Sequence, residues 1–252
     1  MPGLILSLGT LPLGIYGDFW VLLIMKATIE RFLYNRAGFK AYRYNNHSHS
    51  SYIVDLVGPP GIGKTTLIKA LIERSLIQAE NDSFDKKERV CKSRARLLSL
   101  AALNQGDIAT LQRKAVKLIY DLNISQSRKG YVVDEGLSHH FANELCSMFL
   151  ESPDDFKLLM QRRAVINLTA SPETICSRIR IRGNKTGRLL PCHQDKSDEE
   201  LVIFNTEALR GREYLATCMK EAGYPILTVN MEGARELAVD HIEVFFSSLA
   251  QR

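Results

Sequence analysis

Residues 58–66 read GPPGIGKTT and match the phosphate-loop pattern G-x-x-x-x-G-K-[ST]. In this pattern the glycines let backbone N–H groups turn towards phosphate oxygens, and the following helix adds partial positive charge. Lys64 is expected to reach the β- and γ-phosphates of ATP, and the Thr65 hydroxyl to coordinate Mg²⁺. The predicted nucleotide-binding residues are Gly58, Pro59, Pro60, Gly61, Ile62, Gly63, Lys64, Thr65 and Thr66.

Two carboxylates, Asp134 and Glu135, follow a short apolar stretch at 131–133. In a parallel sheet the carboxyl end of such a strand lies beside the phosphate loop. We expect Asp134 to bind the Mg²⁺ shell or accept a proton, with Glu135 as the alternative base. A purely structural role, as an acidic cap for the next helix, is the competing interpretation. His139 and His140 are expected to be polar residues at a helix start.

A run of basic residues surrounds Gly183 and Gly187, and it consists of Arg178, Arg180, Arg182, Lys185 and Arg188. Arg178 and Arg182 are four residues apart and therefore share a helical face. Cations there could stabilise charge on a phosphoryl group during transfer. Basic residues near the C-terminus of a helix are also favourable for the helix dipole alone, so that alternative stays open.

These chemical residues need a scaffold of alternating strands and helices. Strands are predicted at 52–57, 131–133, 164–168 and 225–229. Helices are predicted at 65–79, 93–104, 107–127, 137–150, 172–182, 197–222 and 233–249, with a charged loop at 80–92. Strands that alternate with helices in this way indicate a parallel sheet with helices on both faces.

The composition is that of an ordinary globular protein, with 252 residues, 45% of them hydrophobic and 24% charged. It excludes collagen, coiled coils and multi-helix membrane proteins. A net charge of +5 suits a protein that handles anions, but a solvated surface explains it equally well, and nucleic-acid binding is not expected. The five cysteines form no C-x-x-C pair, so neither a disulfide framework nor a zinc site is indicated.

The first 51 residues are predicted to lie outside the catalytic domain, which is assigned to residues 52–252. Residues 4–25 are almost entirely apolar, which is long enough for one membrane span, although Asp18 would be costly there. A loosely packed extension, or a true translation start at Met25, fits this stretch as well. We therefore expect a cytoplasmic protein, associated with a membrane only if residues 4–25 form an anchor.

With these motifs in family order, the chain resembles the P-loop kinases of the nucleoside and nucleotide kinase group. The resemblance rests on GPPGIGKTT, on VVDEG at 132–136 and on the run 171–183, which is similar to the lid helix of thymidylate and deoxynucleoside kinases. It implies a P-loop NTPase fold with three α/β/α layers, a five-stranded parallel sheet in the order 2-3-1-4-5, and a mobile lid. The second strand of that order has no confident position in 80–92.

The leading functional hypothesis is transfer of the γ-phosphoryl group of MgATP to a small-molecule acceptor, for which the resemblance suggests nucleosides or nucleotides. The acceptor region at 80–128 matches no subfamily, although Arg89, Arg94, Arg96 and Arg113 could meet an anionic acceptor. An AAA-type ATPase that drives a protein partner is the runner-up, but the chain after the acidic turn is short for a further lid domain. A nucleotide sensor tethered to a membrane through residues 4–25 is the third hypothesis.

Overall fold

The computed structural model describes residues 40–44, 52–79, 92–104, 108–126 and 130–251. The strands in these ranges are β1 Lys40–Tyr44, β2 Ile53–Val57, β3 Ile77–Ala79, β4 Tyr131–Asp134, β5 Arg163–Thr169 and β6 Ile226–Asn230. The helices are α1 Lys64–Glu73, α2 Lys92–Asn104, α3 Ile108–Gln126, α4 Leu137–His140, α5 Ala142–Glu151, α6 Pro153–Met160, α7 Pro172–Thr186, α8 Asp198–Glu221 and α9 Arg235–Ala250.

One sheet of six strands organises the described part of the chain, in the order β3-β1-β4-β2-β5-β6. The four strands β4, β2, β5 and β6 are parallel to their neighbours, whereas β1 is antiparallel to both β3 and β4. The four predicted strands therefore stand in the predicted relative order. The prediction of a five-stranded, wholly parallel sheet is wrong.

The difference arises beside β4, where the family order would place a second parallel strand. That position is taken by β1, which precedes the phosphate loop and pairs with β4 so that Lys40 lies opposite Asp134. Among the described residues, the sheet therefore includes strand Lys40–Tyr44, which precedes the predicted boundary at 51/52. Two parallel strands need a long crossover connection, whereas antiparallel strands do not have this requirement.

The predicted helix at 65–79 is shorter than expected and is followed by an unpredicted strand. Helix α1 ends at Glu73, Ser75 adopts a positive φ of 56°, and β3 begins at Ile77. Helix α6 was not predicted either, although Pro153 occupies a favourable position in its first turn. Of the segment 80–92, in which the second strand has no confident position, residues 80–91 lie outside the described residues.

Apolar clusters cover the two faces of the sheet and give the predicted three-layer arrangement. On one face, Val54 and Leu56 of β2 pack with residues of α1 and α9. On the other face, Val57 of β2 packs with residues of α5, α6 and α8. Because side chains alternate along a strand, Asp55 points to the same face as Val57.

The apolar segment at 4–25 and the alternative start at Met25 lie outside the described residues. Within the part of the chain that the structure describes, no helix combines the length and the apolar character that crossing a membrane requires.

Candidate active site

The phosphate loop joins the end of β2 to the start of α1, as its sequence predicted. Gly61 and Gly63 have φ values of 89° and 108°, a left-handed conformation that glycine adopts without the steric cost of a Cβ atom. A Cβ atom on Gly61 would also lie 2.9 Å from Cγ1 of Ile179 in α7. The loop therefore combines an unusual backbone with a close approach of α7.

Lys64 is the first residue of α1 and is almost completely buried. Its Nζ donates a hydrogen bond of 2.6 Å to the Gly58 carbonyl and lies 3.4 Å from Oε1 of Glu135. Burial lowers the pKa of the Lys64 ammonium, while Glu135 and Asp134 act in the opposite direction. The ammonium therefore lies between the phosphate loop and the acidic turn.

The acidic turn Asp134-Glu135-Gly136 lies beside the phosphate loop because β4 pairs directly with β2. Asp134 is in register with Leu56, and the Glu135 N–H donates a 3.3 Å hydrogen bond to the Leu56 carbonyl. Glu135 has a positive φ of 57°, which is uncommon for a residue with a side chain. The two carboxylates thus occupy the carboxyl edge of the sheet, where ligands bind in parallel α/β folds.

A cleft of about 870 Å³ brings together most of the predicted site residues. Its walls include Pro59, Pro60, Gly61, Ile62, Gly63, Lys64, Thr65, Thr66, Asp134, Glu135, Arg178 and Arg182, together with Asn230, Met231, Gly233 and Arg235. Gly58 does not line the cleft, but its carbonyl accepts the hydrogen bond from Lys64. One chain therefore supplies a phosphate loop, two carboxylates and two arginines to one cleft.

The arginines of the predicted basic run have different surroundings in the structure. Arg178 donates to the Ile62 carbonyl at 3.2 Å and to the Met231 carbonyl at 2.8 Å, so it joins the phosphate loop to the segment after β6. Arg180 instead forms an ion pair with Asp198. Arg182 lines the cleft, whereas Arg188 lines another depression, which Arg180 and Gly183 of α7 also line.

Helix α7 extends beyond its predicted end and includes Gly183, one of the two glycines within the basic run. Gly183 lies within the helix, and a Cβ atom there would be 2.5 Å from Cδ2 of Leu189. Gly187, with a φ of 66°, ends the helix in the left-handed conformation common at that position. Gly183 is therefore explained by close packing, and only Gly187 marks a change of chain direction.

The segment after β6 is fixed to the start of α7 by Glu232. Its Oε1 accepts hydrogen bonds from the Ser171 N–H at 2.9 Å and from the Thr174 hydroxyl at 2.8 Å. Hydrogen bonds from Ser171 and Thr174, together with nearby Arg178, lower the pKa of Glu232 to about 2. The side of the cleft that contains Asn230 and Met231 is thereby attached to the helix that carries Arg178.

Comparison with protein families adds an independent observation. A family model described as an AAA domain matches residues 54–202, which is more than half of the chain. The chain belongs to this AAA domain family. No curated protein matches it. The matched range of this AAA domain protein begins in β2 and ends in α8, so it includes the phosphate loop, the acidic turn and α7, and it supports a P-loop nucleotide-binding enzyme.

The residues of the AAA domain cleft fit a nucleotide with its magnesium ion. The loop residues Pro59 to Gly63 line the cleft, and Thr65 is exposed on the cleft wall at the first turn of α1. Thr65 and Asp134 would hold Mg²⁺, and Lys64 would contact the phosphates. Oxygen ligands of this kind, completed by water and phosphate, are those that Mg²⁺ prefers.

Two histidines that were predicted to be ordinary helix-start residues lie against the acidic turn. Nε2 of His139 is 3.9 Å from Oε1 of Glu135, and Nε2 of His140 is 4.0 Å from Oε2. Burial lowers the pKa of both imidazoles well below the ordinary value. His140 and nearby cations lower the pKa of His139 further, and nearby cations lower the pKa of His140 further. Glu135 precedes the N-cap of α4, so no helical spacing indicated this contact in the sequence.

Lys117 and Arg212 are further cations near the acidic turn that no motif indicated. Burial lowers the pKa of Lys117, and Glu135 and Asp134 oppose this change. Burial also lowers the pKa of Arg212, and Glu135 again opposes it. Both residues lie in long helices whose amphipathic pattern gives no local sign of a site.

Of the four arginines predicted to meet an acceptor, Arg113 is the one whose side chain the structure describes. Arg113 is exposed, and its Nη2 donates a 2.9 Å hydrogen bond to the Thr110 hydroxyl of the same helix. Arg89 and the side chains of Arg94 and Arg96 lie outside what the structure describes.

Proposed function

We propose that this protein is an ATP-dependent kinase that transfers the γ-phosphoryl group of MgATP to a small-molecule acceptor. The observation that supports this most is the shared cleft, in which Arg178 and Arg182 lie with Lys64 and the acidic turn. Phosphoryl transfer depends mainly on positioning and on stabilising charge around the transferred group. Arg178, Arg182 and Lys64 belong to the same chain, so no second protein has to supply the cations that stabilise this charge.

The bond changes of this reaction assign a role to each side of the cleft. An acceptor oxygen forms a bond to the γ-phosphorus while the bond from that phosphorus to the β–γ bridging oxygen breaks, and ADP leaves. The proton of an acceptor hydroxyl passes to a carboxylate, for which Glu135 is our candidate. Lys64 and Arg182 stabilise the phosphoryl oxygens, and bound Mg²⁺ would neutralise phosphate charge while held by Thr65 and Asp134.

The two histidines complete the surroundings of Glu135 in this proposal. Because burial keeps the pKa of His139 and His140 low, both imidazoles are neutral near pH 7 and can act as hydrogen-bonding groups. They therefore add polar, uncharged surface beside the carboxylate that is to receive the proton. Nucleosides and nucleotides remain our first choice of acceptor, on the basis of the sequence resemblance alone.

Hydrolysis coupled to a protein partner is the second candidate function, and the AAA domain match is compatible with it as well as with a kinase. The acidic pair Asp134-Glu135 would also suit this reaction, with Glu135 orienting a water molecule. The two proposals differ in one measurable property, because a kinase needs an acceptor for rapid turnover and an ATPase does not.

ADP release from MgATP, measured with and without an acceptor panel, tests the proposal. The panel contains nucleosides, nucleotides, sugars and small alcohols. We expect slow release alone and a large increase with one acceptor class. Lys64→Ala should abolish turnover while its circular dichroism spectrum remains that of the wild type. Acceptor-independent turnover would favour the ATPase, and wild-type rates in Lys64→Ala would remove the role of the phosphate loop.

A further inference from the structure

A carboxylate that the reaction does not use is completely buried beneath the site. Asp55 lies in the middle of β2, three residues before the phosphate loop begins. Its Oδ2 accepts hydrogen bonds from the Ser138 N–H at 2.9 Å and from the Ser138 hydroxyl at 2.8 Å. Its Oδ1 lies 3.3 Å from Nη1 of Arg163. Asp55 therefore connects the phosphate-loop strand to the helix that follows the acidic turn.

The acidic turn itself packs directly on the same carboxylate. A Cβ atom on Gly136 would lie 2.2 Å from Oδ1 of Asp55, closer than any real contact. The preceding residue, Glu135, holds a positive φ of 57°. Backbone in this region costs free energy and persists only where its surroundings determine it. Asp55 is in position to impose that conformation, because it contacts the turn at Gly136 and the helix at Ser138.

Arg163 holds Asp55 from the opposite side. It comes from β5, is fully buried, and donates through Nε to the Leu159 carbonyl at 3.0 Å and through Nη2 to the Asp121 carboxylate of α3. Burial raises the pKa of Asp55, and Arg163 and the Ser138 hydrogen bonds oppose this change. The network thus connects α3, β5, β2 and the acidic turn through two fully buried charged groups.

We propose that Asp55 is a positioning residue that, through Ser138 and Gly136, holds the acidic turn in the conformation in which Glu135 faces Lys64. This inference rests on the proposed function, because it assigns Asp55 an effect on turnover through Glu135. Buried ion pairs contribute little to stability compared with apolar residues of similar volume, so stability alone is a weak reason for this network. Its contacts instead converge on one turn of the active site.

A double-mutant cycle separates positioning from general destabilisation. Ser138→Ala removes one hydrogen bond to Asp55 and should fold, and Asp55→Asn perturbs the whole network. Each is made in the wild-type and in the Glu135→Gln background, and kcat, KM for MgATP and unfolding are measured. In the wild-type background we expect kcat to fall about 10- to 100-fold, with KM changed less than about threefold. In the Glu135→Gln background, the same substitutions should lower kcat by less than about threefold.

Asn205→Ala is the matched control, since Asn205 is fully buried and its amide donates to the Leu201 carbonyl within α8. It should lower stability without a change in kcat that depends on Glu135. If Glu135→Gln leaves no measurable turnover, the same cycle is made in the Glu135→Asp background, and kcat is again the quantity compared. Equal losses in both backgrounds, or wild-type kcat in both Asp55 and Ser138 variants, would overturn the positioning role.

Failure of the kinase proposal gives a different result from failure of this inference. If wild-type protein only hydrolyses ATP, the kinase proposal is contradicted, and the cycle is then read in the hydrolysis rate. Coupling between Asp55 and Glu135 in that rate would support the positioning role, and additive effects would contradict it.

Discussion

Arg180 and Asp198 form an ion pair, with 2.7 Å between Nε and Oδ1, that joins α7 to α8, and neither residue lines the nucleotide cleft. Arg182, two residues further along the same helix, lines the cleft instead. Because side chains two positions apart point to different sides of a helix, neighbouring arginines of one sequence run have separate surroundings. This separation provides a matched pair of variants.

Arg182→Ala is expected to lower kcat by about 100-fold or more with a smaller change in KM for ATP, because its cation acts on charge that develops during transfer. Steady-state kinetics with saturating acceptor measure this effect. Arg180→Ala is the control and should change kcat by less than about threefold, since an exposed ion pair contributes little. An effect of Arg182→Ala on KM alone would limit Arg182 to ground-state binding.

Gly136→Ala should destabilise the protein by about 1–3 kcal/mol, because its Cβ would overlap the Asp55 carboxylate. Gly211→Ala provides the opposite case in α8, because a Cβ atom on Gly211 would lie 3.7 Å from the nearest side-chain atom, Oδ1 of Asn143. That substitution should stabilise the protein by about 0.5–1 kcal/mol, because alanine favours a helix. Urea unfolding of both variants measures the difference. Equal stabilities would contradict the close packing at Gly136.

The free energy of unfolding should fall as the pH is lowered from about 7 to 5. His139 and His140 have pKa values well below the ordinary 6.5 in the folded protein, so the unfolded chain binds more protons in this range. Each histidine contributes at most about 1.4 kcal/mol per pH unit below about 6.5. Their contribution is fully present above the unfolded pKa and is lost on acidification.

Urea titrations of the wild type and of His140→Gln at pH 7.5, 6.5 and 5.5 measure this dependence. The variant should show a shallower decrease in stability on acidification than the wild type. Identical pH dependence in the two proteins would show that His140 is not held neutral by the fold.

Much of the site could be predicted because its residues are close together in the sequence. The phosphate loop carries its glycines, Lys64 and Thr65 in one run, and the acidic turn directly follows a short buried strand. The order of the four parallel strands also followed from the resemblance. The family match supports the P-loop nucleotide-binding class, while the roles of individual residues and the choice between kinase and ATPase stay predictions.

The parts that were missed depend on contacts between distant segments. Strand β1 has only five residues, and it joins the sheet by pairing with β4, which lies far along the chain. Lys117 and Arg212 interact electrostatically with the acidic turn from two long helices. Asp55 reads as one polar residue within an apolar strand, and its contacts with Ser138 and Arg163 exist only after folding.

The most direct test of the account is to follow the γ-phosphoryl group of ATP by phosphorus NMR in the presence of magnesium and the acceptor panel. We predict that ADP and one phosphorylated acceptor form in equal amounts, the product being a phosphoester of a hydroxyl or a phosphoanhydride of a nucleotide phosphate, and that neither forms with Lys64→Ala. Formation of ADP and inorganic phosphate in equal amounts, whatever acceptor is present, would contradict phosphoryl transfer to a small molecule.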